Sequence, residues 1–280
     1  MRNIWARITS HSLHIAGKTG LKIIILGAGS IVPTPERFGS GVHVKTSAEN
    51  FLIDPGPGAL EKMRRVGIKP QDINAVFITH FHIDHVADLI PLLMLWAYDV
   101  DGEPSPSPKP LRLIGPPGLA KLLQSLTVDI EAFAYLTKTM GCQRYTFVKE
   151  MVDGEVWHLS SLKVASAFVE HYNGVAFRFE TSEGTIVYSG DTVPDARLVK
   201  LAKGCDILIH ECSFPHERLL GKHTSEKQLA YIVSDIRPRV LVVNHLYPAW
   251  RGQEERIEKA LKNLGLEKLV VAKDFTVIEI

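Results

Sequence analysis

Short apolar runs of strand length recur along this chain, and apolar residues at helical spacing mark stretches between them. From Leu21 the pattern predicts strands at "LKIIIL", "GVHVKT" and "NFLID", a helix at "GALEKMRRVG" and a strand at "NAVFIT". A helix over 84–98 follows, apolar at Val86, Leu89, Ile90, Leu93 and Trp96. Asp84 takes its N-cap position, where a carboxylate also suits the helix dipole. The loop "DGEPSPSPKP", rich in Pro and Ser, separates this helix from the strand and turn "LRLIGPPG" and from a helix over "LAKLLQSLTVDIEAFAYLTKTM".

The second half repeats the style. Strands are expected at "YTFVKE", "EVWHLSSLKVASAFVEH", "GVAFRFET" and "GTIVYSGD". "DARLVKLAKG", "TSEKQLAYIVSDI" and "GQEERIEKALKNLG" read as helices around the strands "CDILIHE" and "RVLVVNH", and "LVVA" and "FTVIEI" close the chain. No short-period repeat occurs, and no linker divides two cores. Each half passes from antiparallel-style strands into strand–helix alternation, which predicts an α/β fold: two packed sheets with helices outside, a four-layered αββα sandwich. That domain is expected over 21–280. Residues 1–20, free of acids and rich in basic and hydroxyl side chains, are read as an N-terminal extension.

Composition narrows the class rather than the function. With 280 residues, 45% hydrophobic and 22% charged, the chain is ordinarily globular. Lys+Arg 32 against Asp+Glu 31 gives no global pull toward nucleic acid. Cys142, Cys205 and Cys212 form no CxxC pair, which favours a reducing, cytoplasmic setting without disulfides. No apolar run reaches membrane-spanning length, so no membrane partner is expected.

The chemistry is concentrated in "THFHIDHVADL", Thr79 to Leu89. His80 and His82 follow a buried strand in extended chain, where a two-residue spacing points both rings the same way. Asp84 and His85 come at the next turn, after the chain reverses. This arrangement presents His80 and His82 to one ion and Asp84 and His85 to a neighbour. Further ligands belong at other strand ends. "AFVEH" ends in His171, "IVYSGD" in Asp191 and "VLVVNH" in His245, with Asp191 the natural bridging carboxylate. Two divalent ions are therefore expected, Zn²⁺ first, with Mn²⁺ or Fe accepted by the same ligand types.

"THFHIDH" matches the HxHxDH signature of the metallo-β-lactamase superfamily. "LGAGSIVPTPERFGSG", "FLIDPGPG", "LRLIGPPG", "SGDTVPDARLVKLAKGCDILIHECSF", "KHTSEKQLA" and "NHLYP" resemble, in order, its ribonuclease Z-like branch. The resemblance spans 21–280. It implies one metal held by His80, His82, His171 and Asp191, and another by Asp84, His85, Asp191 and His245. It implies an acid–base pair in which Glu211 orients His223, with Asp54 supporting the metal-binding loop, and it suggests a homodimer.

In such a centre two metals share an acidified water. His223 would donate a proton to the leaving alkoxide, and Asp84 would both ligate and accept a hydrogen bond from the attacking water. Ribonuclease Z enzymes grip tRNA with a long basic arm inserted after the strand carrying the third histidine. Here only "YNGVAFRFETSEGTIVYSG" separates His171 from Asp191, and the "HFSPRY"-like segment reads "NHLYPAW". The expected substrate is thus a phosphodiester, small or carried on nucleic acid. Another ester, such as an aryl sulfate, a lactone or a cyclic nucleotide, is the alternative, and an iron-binding redox protein a more distant one. The pair Glu211 and His223 favours hydrolysis. The loop 101–110 and the segment 119–140 are where a different substrate grip would be built.

Other residues read as structural. "GAGSIV" lacks the third glycine of a dinucleotide fingerprint, so Gly27 and Gly29 are expected to make a tight turn. Cys212 reads as a buried thiol, His210 as pointing away from Glu211's face, and His43, His158 and His216 as non-ligands. Trp250 and Arg251 are expected either to line a substrate pocket or to sit in a solvated loop.

Overall fold

A computed structural model describes residues 20–99, 101–105, 108–219 and 221–280. The expected extension, apart from Gly20, and part of the loop 101–110 lie outside the described residues. The strands are β1 Lys22–Ala28, β2 Ser40–Lys45, β3 Asn50–Ile53, β4 Ala75–Phe77, β5 Leu111–Gly115, β6 Thr146–Glu150 and β7 Val156–Leu159. They continue as β8 Leu162–Val169, β9 Gly174–Glu180, β10 Thr185–Tyr188, β11 Ile207–Glu211, β12 Val240–Asn244, β13 Lys268–Val271 and β14 Thr276–Glu279. Helices are α1 Ala59–Arg65, α2 Ile83–Val86, α3 Leu89–Leu95, α4 Leu119–Gln124, α5 Tyr135–Lys138, α6 Ala196–Ala202, α7 Glu226–Ile236 and α8 Glu255–Leu261.

The strands form two seven-stranded sheets, ordered β14-β1-β2-β3-β4-β5-β6 and β13-β12-β11-β10-β9-β8-β7. Each is mixed in the same way. In the first, β14 to β3 pair antiparallel and β3 to β6 parallel; in the second, β7 to β10 pair antiparallel and β10 to β13 parallel.

Period-two alternation decides which side each residue serves. Ile23 and Ile25 face the other sheet, in a core with Phe51, Phe77, Phe177 and Phe179. Ile24 and Leu26 face outward with Leu52 and Val76, under Met63 of α1 and Leu89, Leu92 and Leu93 of α3. Leu208, Leu241 and Val243 do the same on the second sheet beneath α6, α7 and α8. The four-layered αββα sandwich follows. The inter-sheet aromatics pack edge-on or tilted, Phe77 and Phe179 at 4.8 Å between centroids. Truncating one such ring costs about 3–5 kcal/mol.

Three helices or turns differ from expectation. The helix expected over 84–98 is two helices, because Asp88 leaves helical geometry and turns its carboxylate back to accept from the Gly58 and Leu60 amides at the start of α1. Its N-cap is His82 and not Asp84, which lies inside the first turn. The helix expected over 119–140 is broken into short pieces around a π-turn at Ser125–Asp129. There the Thr127 hydroxyl donates to the Leu123 carbonyl at 2.8 Å, and Ile130 is extended. Gly27 stays within β1 at a bulge instead of making a tight turn, and a Cβ there would stand 2.1 Å from the Gly39 carbonyl oxygen. "EVWHLSSLKVASAFVEH" is a hairpin of β7 and β8, turned at Ser160 with φ 52°.

Candidate metal centre

Most expected site residues lie at the carboxyl end of a strand or just past it, with Asp84 and His85 on α2 after β4 and His223 in the loop before α7. Asp54 follows β3, His80 follows β4, His171 follows β8, Asp191 follows β10, Glu211 ends β11 and His245 follows β12. Parallel strands bring such ends to one edge of a sheet. His171 joins them because two antiparallel pairings, β8 to β9 and β9 to β10, restore the direction of β8 to that of β10.

Two adjoining groups of candidate ligand atoms result, and a third overlaps them. One contains His80, His82, His171 and Asp191, the other Asp84, His85 and His245, and the third Asp191, His223 and His245, each with its atoms within 4.8 Å of one another. His82 Nδ1 lies 3.1 Å from His80 Nε2 and 3.2 Å from His171 Nε2. His245 Nε2 lies 3.4 Å from both His85 Nε2 and Asp84 Oδ2. Ligands at ordinary zinc bond lengths around a tetrahedral ion stand about 3.4 Å apart.

Asp191 sits between the first two groups. Its Oδ1 is buried with no hydrogen-bond partner and lies 3.5 Å from His85 Nε2 and from His245 Nδ1. Its Oδ2 lies 3.8 Å from His80 Nε2 and 3.9 Å from His171 Nε2. One oxygen turned to each group, one of them orphaned, fits a carboxylate shared by two cations.

The far sides of the His80, His85 and His171 rings are anchored, which fixes their tautomers. His85 Nδ1 contacts Asp54 Oδ2 at 2.8 Å. The Thr79 hydroxyl donates to that same oxygen at 2.8 Å and lies 3.0 Å from His80 Nδ1. His171 Nδ1 donates to the Lys222 carbonyl at 3.3 Å. Gly56 lets the "DPGPG" loop close on this segment, since a Cβ would stand 2.0 Å from the Asp84 carbonyl oxygen.

Charge follows burial. Burial pulls the His80 and His171 imidazoles below their ordinary range, favouring the neutral form that can hold a metal. Burial also opposes charge on His85, but the Asp191 and Asp54 carboxylates outweigh it and hold that ring well above its usual value. Asp191 is held well below the carboxylate range, the His245 and His85 charges overcoming its burial.

Beside these groups, Glu211 Oε1 accepts from the Thr192 amide at 2.7 Å and lies 3.0 Å from His223 Nδ1. Its Oε2 accepts from the Ser213 hydroxyl at 2.5 Å and the Thr224 amide at 3.2 Å. Burial works against a charged His223, yet the Glu211 hydrogen bond and charge prevail and raise its pKa.

Ser213 and Tyr247 complete the site and are absent from the sequence reading. The Ser213 hydroxyl stands 3.0 Å from His245 Nδ1 and 3.2 Å from His223 Nδ1. Its two-residue spacing from Glu211 was the available signal. Burial, with the Asp84 and Asp191 charges, pushes the Tyr247 phenol up to about 12. Trp250 is neither pocket wall nor solvated loop: it is fully buried and donates to the Cys212 carbonyl at 2.6 Å. Arg251 lines an open cavity beside Tyr247. His210 and Cys212 are buried outside the metal groups, burial raising the thiol well above its usual pKa. His43 contacts Asn50 and His216 contacts Ser225.

The fold is the metallo-β-lactamase fold, and two adjoining His–Asp groups stand at its edge. The family described as anti-Pycsar protein Apyc1 matches residues 21–262. A ribonuclease Z of Mycobacterium avium is 32% identical over 255 residues, covering 84% of this chain and 90% of that protein. One of Mycobacterium bovis is 31% identical over 259 residues, covering 84% and 90%. Among solved structures, the metallo-β-lactamase fold protein YhfI from Bacillus subtilis superposes with TM-score 0.77 at 21% identity, covering 94% of this chain and 100% of that one. The short form of human tRNase Z gives TM-score 0.69 at 21% identity, covering 92% and 98%. The chain belongs to the ribonuclease Z-like branch of the metallo-β-lactamase superfamily and to the family described as anti-Pycsar protein Apyc1.

Proposed function

We propose that this protein is a dinuclear metal-dependent phosphodiesterase acting on small phosphodiesters, linear or cyclic, in preference to tRNA. The observation that carries this reading is Asp191, whose two oxygens face the two ligand groups while the Glu211–His223 pair stands alongside. His80, His82, His171 and Asp191 would hold one ion, and Asp84, His85, Asp191 and His245 the other. Zn²⁺ suits these ligands best, with Mn²⁺ and Fe as alternatives. Bound ions of this kind acidify water and neutralise charge on a phosphoryl group.

The chain's own groups supply the rest. Asp84 accepts a hydrogen bond from the attacking water. His223, with Nδ1 held by Glu211, presents Nε2 to the leaving alkoxide and gives it a proton. Glu211 keeps that ring in place because its two oxygens are pinned by the Thr192, Ser213 and Thr224 amides and the Ser213 hydroxyl.

Phosphodiester chemistry is supported by the ribonuclease Z relatives. A small substrate is supported by the turn where an arm would stand: β8 ends at Val169 and β9 begins at Gly174, leaving only a short turn after His171. A homodimer in the cytoplasm is the setting we propose. Among the described residues no helix is long and apolar enough to cross a membrane.

The test is hydrolysis of bis(p-nitrophenyl) phosphate against p-nitrophenyl sulfate by protein whose metals have been counted. Turnover of the diester with about two metals per chain supports the proposal. Preference for the sulfate, or no hydrolysis by the loaded protein, sinks it.

A further inference from the structure

β6 and β7 are the last strands of their sheets on one flank of the sandwich, joined by the turn 151–155. Among the described residues β6 pairs with β5 alone. The Tyr145 carbonyl, just before β6, accepts from the Leu111 amide, and the Met151 amide, just after it, donates to the Gly115 carbonyl. Odd-numbered residues therefore bond toward β5, while Thr146, Val148 and Glu150 turn their backbone groups outward. Such an edge is a template on which another chain can pair. This one has no proline or bulge to blunt it, and its lysine, Lys149, is tied to Glu155 at 2.5 Å. Phe147 is 56% exposed, next to exposed Val148, Val152 and Val156.

Each face of this edge opens into a hollow. On the helix side Thr146 and Val148 line one of about 160 Å³ with Leu93, Leu123 and Cys142, and the Thr146 hydroxyl is buried there without a partner. An apolar cavity of roughly 150 Å³ holds benzene, so this hollow suits one large apolar side chain. On the other side Arg112, Phe147 and Trp157 line a groove of about 370 Å³. Among the described residues Arg112 has neither an acid nor a hydrogen-bond partner for its guanidinium. Successive side chains of an added strand point to opposite faces, so adjacent residues would enter the two hollows.

We infer that the outer edge of β6 is a docking site for an extended segment of a partner protein. The segment pairs with Thr146–Glu150 as an added strand, sets an apolar side chain in the first hollow and lays the acidic side chain next to it against Arg112. Charge selects this occupant. A symmetric second copy of β6 would bring Phe147 and Lys149 to the face of Arg112, a cation and no anion. Residues 1–19 contain no acid either. The site lies on the flank of the sandwich and holds whether or not the phosphodiesterase reading does.

The probe is a capped heptapeptide alternating leucine with glutamate, titrated into metal-loaded protein beside the same peptide with lysine for glutamate. The glutamate peptide should bind about tenfold more tightly than the lysine peptide. Methylating the leucine amides in one peptide and the glutamate amides in another should abolish binding in one and leave it in the other, because only alternate amides of a strand face its neighbour. The preference for glutamate should vanish in Arg112→Gln. Val148→Pro removes an outward amide and no bond to β5, so it should lose the peptide while keeping its metal content and thermal midpoint. The methylated peptides test the same pairing on unaltered protein. No binding, equal affinity for the two peptides, a preference that survives Arg112→Gln, or methylation that acts alike in both phases overturns the site. Self-association of the protein alone that Val148→Pro abolishes would assign the edge to a second copy and overturn it as well.

Discussion

Asp54 Oδ2 lies 2.8 Å from His85 Nδ1, and the same oxygen takes the Thr79 hydroxyl that stands against His80. One buried carboxylate therefore sets the ring of a histidine in each ligand group. Asp54→Asn should lower metal affinity about 10–100-fold, read by competition with a chelator. Asn is the replacement of choice because residue 54 has φ 51°, a left-handed conformation that Asn tolerates. A loss confined to one ion would refute the shared-anchor account.

Glu211 and His223 act as a unit. On a diester with a poor leaving group, His223→Ala should cost about 10²–10⁴-fold in kcat, and much less on a p-nitrophenyl ester. Glu211→Gln combined with His223→Ala should be little worse than the histidine change alone. Glu211 raises the His223 pKa, so its removal lowers that value. The alkaline decline in rate on the unactivated diester should then begin at lower pH in Glu211→Gln. A pH–rate profile that does not move removes Glu211 from this role.

Metal and proton compete at His85. The Asp191 and Asp54 charges hold that imidazole well above its usual value despite burial, so the metal-free ring carries a proton near neutrality. Metal loading should therefore release protons, seen as a calorimetric enthalpy that depends on the buffer's own ionisation heat. Affinity should fall as pH drops. An enthalpy identical in all buffers would contradict this.

His43 lies away from the ligand groups, buried with Nε2 2.5 Å from Asn50 Oδ1, and burial lowers its pKa despite that contact. A histidine depressed in the folded state contributes stability that is present above its unfolded value and lost as pH falls toward the folded one. Urea unfolding of metal-free protein should show stability declining from pH 7.5 to pH 5. The decline should be shallower in His43→Gln. Parallel curves for the two proteins would rule His43 out as a contributor.

Much of this was legible because short apolar runs mark the strands and polar residues at their ends stand out against them. His80, His171, Asp191 and His245 each interrupt such a pattern, and the fold brings them to one edge. What local pattern could not reveal was decided by distant partners. Asp88 breaks the expected helix because α1 offers it free amides. Gly27 bulges because the Gly39 backbone presses against it from β2's side. Trp250 is buried because the Cys212 carbonyl, on another strand end, accepts its indole N–H. Ser213 and Tyr247 gain roles only when His223 and His245 arrive beside them.

The turn between β9 and β10 lies at the end of those strands away from the metal centre, and β9's seven residues span about 20 Å. Doubling a loop's length costs only about 0.6 kcal/mol in closure entropy. Thr181–Gly184 is thus a mounting point where a tag or a whole module could be fitted without disturbing the chemistry. The turn after His171 is its opposite, since anything added there would overhang the centre and alter what can enter. The same pair of strands offers an engineer a quiet handle at one end and a recognition port at the other.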